Sequence, residues 1–260
     1  MDWWIQAVAG FGVGVLVGLT GIGGGALMTP LLVLAFGFAP AVAVGTDLLF
    51  ASITKSGGVW VHTRRRTVEW RAMAWLAAGS LPAAALTLWW LGRWGTNPRQ
   101  FDALIVPVLA VALTLTGAVL LFKTRVQRFA GQWNRTGHLE ERRRPLATMT
   151  VGAVVGVLVT LTSIGAGALA AAALLFLHPR LPAVKVAGTD LAHAVPLAAV
   201  AGFGHWQLGT VDFPLLGNLL LGSLPGIFLG SHMGGVVPER ALRSILATLL
   251  LLVGFSLALK

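Results

Sequence analysis

No Lys, Arg, Asp, Glu or His interrupts the chain from Trp3 to Phe38. As one helix, at about 1.5 Å per residue, that run would form a rod of roughly 54 Å against a hydrocarbon core of about 30 Å. It must break. The break belongs at Gly21-Ile22-Gly23-Gly24-Gly25, because each glycine costs roughly 1 kcal/mol in a helix interior relative to alanine. The pattern therefore predicts a helix over 3–20, a turn at membrane depth and a shorter returning helix over 26–38. Apolar stretches of spanning length follow at 40–61, 72–91 and 101–122, set apart by polar clusters around Arg64-Arg65-Arg66 and Arg93 to Arg99. A second uncharged run over 146–177, roughly 48 Å long as a helix, breaks near Ser163-Ile164-Gly165-Ala166-Gly167. Spans over 182–203, 213–235 and 241–259 complete the pattern.

The second half repeats the first. Leu19-Thr20-Gly21-Ile22-Gly23-Gly24-Gly25-Ala26-Leu27 aligns with Leu161-Thr162-Ser163-Ile164-Gly165-Ala166-Gly167-Ala168-Leu169, and Pro40-Ala41-Val42 with Pro182-Ala183-Val184. After one extra residue, Ala187, the alignment carries Gly45-Thr46-Asp47 onto Gly188-Thr189-Asp190. It also carries His62 onto His205, Thr67-Val68-Glu69-Trp70 onto Thr210-Val211-Asp212-Phe213, and Gly79-Ser80-Leu81-Pro82 onto Gly222-Ser223-Leu224-Pro225. Chance does not produce such agreement, and the chain is a tandem repeat. The expected division is a first repeat over 1–122, a basic cytoplasmic linker over 123–145 and a second repeat over 146–260.

Composition narrows the class. With 56% hydrophobic and 11% charged residues and a mean hydropathy of +0.82, the chain is an all-α integral membrane protein rather than a soluble domain. Cysteine is absent, which excludes disulfides and thiolate chemistry. The first apolar segment lacks a basic leader and reads as retained rather than cleaved. A net charge of +10 raises the question of nucleic acid, but the basic residues lie in short loops, so topology control is the reading and no nucleic-acid partner is expected. Tryptophans, with no tyrosine, would build any aromatic belt.

Charge also orients the repeats. If each broken segment crossed the membrane once, the outside face would carry Arg93, Arg99, Arg180, Lys185, Arg240 and Arg243. If each is a hairpin, the second repeat is inverted and the outside retains only Arg93, Arg99 and Lys260. The positive-inside rule favours the second arrangement: two inverted repeats, each of about five helical elements with a broken or re-entrant first hairpin, and both termini outside. The linker joins Lys123, Arg125, Arg128, Arg135, Arg142, Arg143 and Arg144 with Phe129 and Trp133. It reads as a solvated segment or as one lying on anionic lipid headgroups.

The glycine run with Pro30-Leu31-Leu32, the segment Ala43-Val44-Gly45-Thr46 and the second-repeat counterparts make the chain resemble the sulfite exporter TauE/SafE family, over nearly its whole length. The resemblance implies a multi-pass inner-membrane transporter, usually an exporter, of small anions such as sulfite, sulfonates and sulfonated carboxylates. Two departures stand out: the second glycine run is thinned to Ser163, Gly165 and Gly167, and Asp47 and Asp190 occupy positions where a small polar residue such as serine is expected.

A helix starting inside the membrane presents unpaired amides and a partial positive charge. Two such starts, at Gly23, Gly24, Gly25 and Ala26 and at Gly165, Gly167 and Ala168, would suit an oxyanion near the midplane; the plain alternative is that the glycines only allow tight helix packing. Thr46 and Thr189 are candidate hydroxyl ligands or hydroxyls bonded back to their own helices. Asp47, Asp190 and His193 are candidates for proton coupling, or structural partners, since a carboxylate in a span marks a functional pathway. Lys55, with Ala198 as its counterpart, is a candidate anion ligand, or a snorkelling or paired cation. His62 and His205 read as interfacial. No cofactor, metal or catalytic residue is expected; an anion channel or a membrane-embedded enzyme is the alternative class, though Asp47, Asp190 and His193 form no recognisable metal motif.

Overall fold

The computed structural model describes residues 2–20, 27–93, 98–122, 125, 143–165, 167–178, 180–232 and 239–259. The first glycine break at 21–26 and nearly all of the linker fall outside them. Helices dominate the described residues and no strand occurs among them. In chain order they are α1 (Trp3–Thr20), α2 (Met28–Pro30, continued by a π-helical turn Leu31–Ala35), α3 (Pro40–Arg64), α4 (Trp70–Arg93), α5 (Pro98–Leu121), α6 (Arg144–Thr162), α7 (Ala168–Leu177), α8 (Ala183–Gln207), α9 (Phe213–His232) and α10 (Glu239–Ala258). Five of these stretches are long and apolar enough to cross a membrane: Trp70–Arg93, Phe101–Leu121, Arg144–Thr162, Ala183–Gln207 and Phe213–His232.

The second break is seen directly. Ser163 ends α6 in the left-handed conformation, with φ 59°, and Gly165 and Gly167 follow at φ 119° and 142°. Those two angles suit glycine because it has no Cβ. The Thr162 hydroxyl accepts the Ile164 amide at 3.1 Å and so supplies one partner for the interrupted backbone. Only then does α7 begin, and its 10 residues reach roughly 15 Å, half a bilayer core.

Glycines set the helix pairing. Along α1, Gly10, Gly14 and Gly18 rest on the backbone of α9 at Leu219, Ser223 and Ile227. Reciprocally, Gly222, Gly226 and Gly230 of α9 rest on α1 at Ala7, Phe11 and Val15. The two helices run parallel, backbone against backbone, as small-residue rows permit. Asn218 donates to the Gln6 side chain across the same contact at 2.8 Å. The pair α4 and α6 is built alike, with Gly152 and Gly156 against Leu76 and Ser80, and Gly79 against Met149.

Counterpart helices, in contrast, run antiparallel. On α3 and α8, Gly45 meets His205, Leu49 meets Gly202, Leu191 meets Gly58 and His62 meets Gly188. On α5 and α10, Gly117 meets Ala247 and Leu251 while Gly254 meets Ala110 and Thr114.

Loop contacts also occur twice. The Glu69 amide donates to Thr189 Oγ1 at 2.9 Å, and the Asp212 amide to Thr46 Oγ1 at 3.1 Å. His62 Nδ1 lies 2.7 Å from Thr67 Oγ1, and His205 Nδ1 lies 2.8 Å from Thr210 Oγ1.

Following these directions, the turn at 65–69, the start of α8, and the end of α5 and start of α6, between which the linker runs in sequence, share one face. The start of α1, the turn at 208–212 and the end of α10 share the other.

Candidate functional site

The antiparallel register of α3 and α8 fixes the depth of every polar group on them. Since Gly45 faces His205 and Gly188 faces His62, the helices cross level near residues 53–54 and 196–197. At about 1.5 Å per residue, Asp47 lies roughly 10 Å from that plane towards the terminal face, and Asp190 roughly 10 Å towards the linker face. Lys55 lies roughly 2 Å from the plane and His193 roughly 5 Å, both on the linker side. The four residues form one column of titratable groups through the middle of the protein. All four are buried, Lys55 being the most accessible at 7%.

Each carboxylate faces the start of the half-helix in its own half. Thr29, in the first turn of α2, donates to Asp47 Oδ2 from its hydroxyl at 2.6 Å and from its amide at 3.2 Å. The Gly167 amide, at the start of α7, faces the Asp190 carboxylate. Negative charge is favoured at these ends because helix amides are left unpaired there. The carboxylates therefore occupy amide donors at these two helix starts. One oxygen of each, Asp47 Oδ1 and Asp190 Oδ1, is buried without a hydrogen-bond partner, as are His193 Nδ1 and Ser163 Oγ, the latter facing Asp47. Buried polar atoms are normally paired, so these four call for an explanation.

Lys55 is held by no ion pair or hydrogen bond among the described residues. Its charge lies within electrostatic range of Asp190 first and Asp47 second, and of His193. A buried ammonium without a fixed partner is expensive, and it leaves its donors available. His193 reaches across to α4, where its Nε2 lies 2.7 Å from Ser80 Oγ.

Among the sequence candidates, Asp47, Asp190, Lys55 and His193 make up this column and Gly167 faces Asp190, while Gly165 lies in the break before Ala168, which begins α7. Gly23, Gly24, Gly25 and Ala26 lie outside the described residues. Thr46 and Thr189 turn towards the loops instead, where each accepts a backbone amide from the opposite half. His205, expected at an interface, is fully buried, and its Nε2 donates to the Thr160 carbonyl at 2.9 Å. Ser80 and Thr29 were not anticipated. Ser80 had a signal in the repeated Gly-Ser-Leu-Pro; Thr29 had none, because its partner Asp47 is joined to it only by the fold. At the linker face, Glu69 pairs with Lys185 at 3.6 Å, and His178 lies 3.1 Å from Thr148 Oγ1. Burial holds the His178 ring below the usual histidine range, and Arg144 pushes the same way against Glu69.

A family model described as sulfite exporter TauE/SafE matches residues 6–257. The probable membrane transporter protein YjnA of Bacillus subtilis is 39% identical over 248 residues, covering 95% of this chain and 96% of its own length. YdhB of the same organism, also described as a probable membrane transporter protein, is 26% identical over 242 residues, with 90% and 91% covered. A Xylella fastidiosa protein of the same description is 25% identical over 221 residues, with 84% and 80% covered. No solved structure matches the chain.

Proposed function

Because the chain belongs to the sulfite exporter TauE/SafE family, a family of membrane transporters and not of enzymes, we propose that this multi-pass protein exports a small sulfur or organosulfur oxyanion, such as sulfite or a sulfonate, across the inner membrane. The observation that carries this reading is Lys55, a buried cation near mid-depth that no ion pair or hydrogen bond among the described residues ties down. A fixed positive charge between two half-helix starts suits a spread-out monoanion with several acceptor oxygens.

The same geometry supports proton coupling. Anion and carboxylate would compete for the amides at Thr29 and Gly167, so protonation of Asp47 or Asp190 releases donors that the substrate then takes. Flux into proteoliposomes should be saturable for sulfite or sulfoacetate, weak for taurine and acetate, and stimulated by a pH gradient. Asp47→Asn and Asp190→Asn should remove the gradient effect; gradient-driven flux that survives both changes would defeat the coupling. Flux that never saturates would favour a channel.

The division into repeats over 1–122 and 146–260, joined by a linker over 123–145, is supported by contacts that recur at aligned positions. Antiparallel counterparts, α3 with α8 and α5 with α10, support inversion. Alternating access then follows from exchanging the conformations of the two halves. The face that carries Arg64, Arg65 and Arg66 is assigned to the cytoplasm, because positive charge in short loops favours that side.

Single cysteines at Arg65 and Leu208, introduced into a chain that has none, should label with an impermeant thiol reagent from opposite sides of the membrane, Leu208→Cys from outside. Labelling of both from one side would rule out the inverted arrangement.

A further inference from the structure

Two breaches of the repeat symmetry converge. Lys55 on α3 has Ala198 as its counterpart, and His193 on α8 has Phe50. The departures arose in different halves, yet the antiparallel register brings them to depths within roughly 3 Å of each other. Ser80 of α4 joins them, with its Oγ 2.7 Å from His193 Nε2. Its own counterpart, Ser223, is equally buried and has no hydrogen-bond partner, since Phe50 offers none. Ser80 and His193 are fully buried, and His193 Nδ1 is left without a partner. A bond whose only purpose was to join α4 to α8 would use one ring nitrogen and have no need to strand the other within electrostatic range of Lys55, which has no ion pair or hydrogen bond among the described residues.

We propose that His193 is a direct ligand of the transported anion through Nδ1–H, and that Ser80 is the positioning residue that makes it one. When the Ser80 hydroxyl donates to Nε2, the neutral ring must carry its proton on Nδ1. The site then presents Lys55 as the charge and His193 as a neutral directional donor, a combination that binds an oxyanion without stacking a second full charge in the membrane. This assignment rests on the reading of the Lys55 site as an anion site, which it deepens.

Asparagine and glutamine separate the two ring nitrogens, because an Asn side-chain amide approximates Nδ1 and a Gln amide approximates Nε2. With sulfite as the probe, His193→Asn should keep KM within about threefold of wild type, while His193→Gln should raise it about tenfold or more, as loss of a hydrogen bond to a charged group does. Ser80→Ala should raise KM as well, and Ser80→Thr, which retains the hydroxyl, should restore it. A sulfite-induced thermal shift of the purified protein should follow the same order.

The opposite pattern, with His193→Gln near wild type and His193→Asn impaired, would assign the histidine to a helix-joining role and overturn the proposal. Wild-type behaviour of all four variants would do the same. Should Lys55→Met lose sulfite while both His193 variants bind normally, this proposal fails and the Lys55 reading stands. If Lys55→Met binds normally and the His193 pair behaves as expected, the Lys55 reading fails instead. A wild type with neither sulfite flux nor thermal shift overturns both.

Discussion

Replacing Lys55 with methionine should lower sulfite or sulfonate flux about ten- to a hundredfold, the range expected when a hydrogen bond from a charged donor to its ligand is lost. The purified protein should meanwhile be at least as stable as wild type. These two expectations pull apart because of where Lys55 sits. An ammonium near mid-depth costs about 2.5–3.5 kcal/mol on insertion scales, and more where no partner offsets it. Methionine keeps the unbranched stem and its packing, and removes the charge. Asp190 and Asp47 lose the cation in their electrostatic range, but a buried carboxylate can take up a proton, which limits the damage. A lysine that held the fold together would behave in the opposite way, because breaking a buried pair leaves an uncompensated charge and costs about 3–5 kcal/mol. Thermal unfolding in detergent, measured beside flux, therefore decides the role. Flux and melting temperature falling together would make Lys55 structural; flux falling alone makes it a ligand. Lys55→Arg should retain part of the flux, since the charge remains while the planar fork replaces a compact ammonium.

Much of this architecture was legible from length and charge alone. An uncharged run longer than a bilayer has to break, and in the second half it does so at Ser163, Gly165 and Gly167. The residues that interlock the halves could be aligned in sequence but not assigned. Thr46 and Thr189, each preceding a buried acid, read as hydroxyl ligands or as hydroxyls bonded back to their own helices. The fold adds a third role, because their hydroxyls accept loop amides at Asp212 and Glu69, partners far away in the chain that only the fold brings near. His205 looked interfacial because it ends an apolar stretch; burial against the Thr160 carbonyl depends on how α6 packs, which periodicity does not report. The buried column shows the converse. Asp47, Lys55, Asp190 and His193 stood out as charged or titratable residues in apolar surroundings, but their common axis needed the antiparallel register of α3 and α8.

Substituting leucine for Gly222 should be the most damaging change to the fold itself. A Cβ at that position would overlap the carbonyl oxygen of Ala7 on α1 and come within 2.7 Å of the Phe11 amide nitrogen. Both are backbone, so no rotamer change can make room. Overpacking a core that can adjust costs about 1–3 kcal/mol, and here relief requires separating the two helices along a row that also includes Gly226 and Gly230. Lipid offers apolar side chains no hydrophobic reason to associate, so close backbone contact is what holds α1 to α9. Losing it should abolish the monodisperse peak in detergent size-exclusion chromatography and lower the amount of protein in the membrane. Gly217, on the same helix, supplies the control: a Cβ there would meet nothing within 4 Å, so Gly217→Leu should leave the profile and the flux unchanged. The contrast recurs on the partner helix, where Gly14 rests on Ser223 while Gly12 faces open space. Gly14→Leu should fail and Gly12→Leu should not. Helix propensity favours leucine over glycine at all four positions, so a propensity effect would move all four the same way. Only backbone contact between α1 and α9 divides them into two classes, and normal assembly of Gly222→Leu or Gly14→Leu would refute that contact.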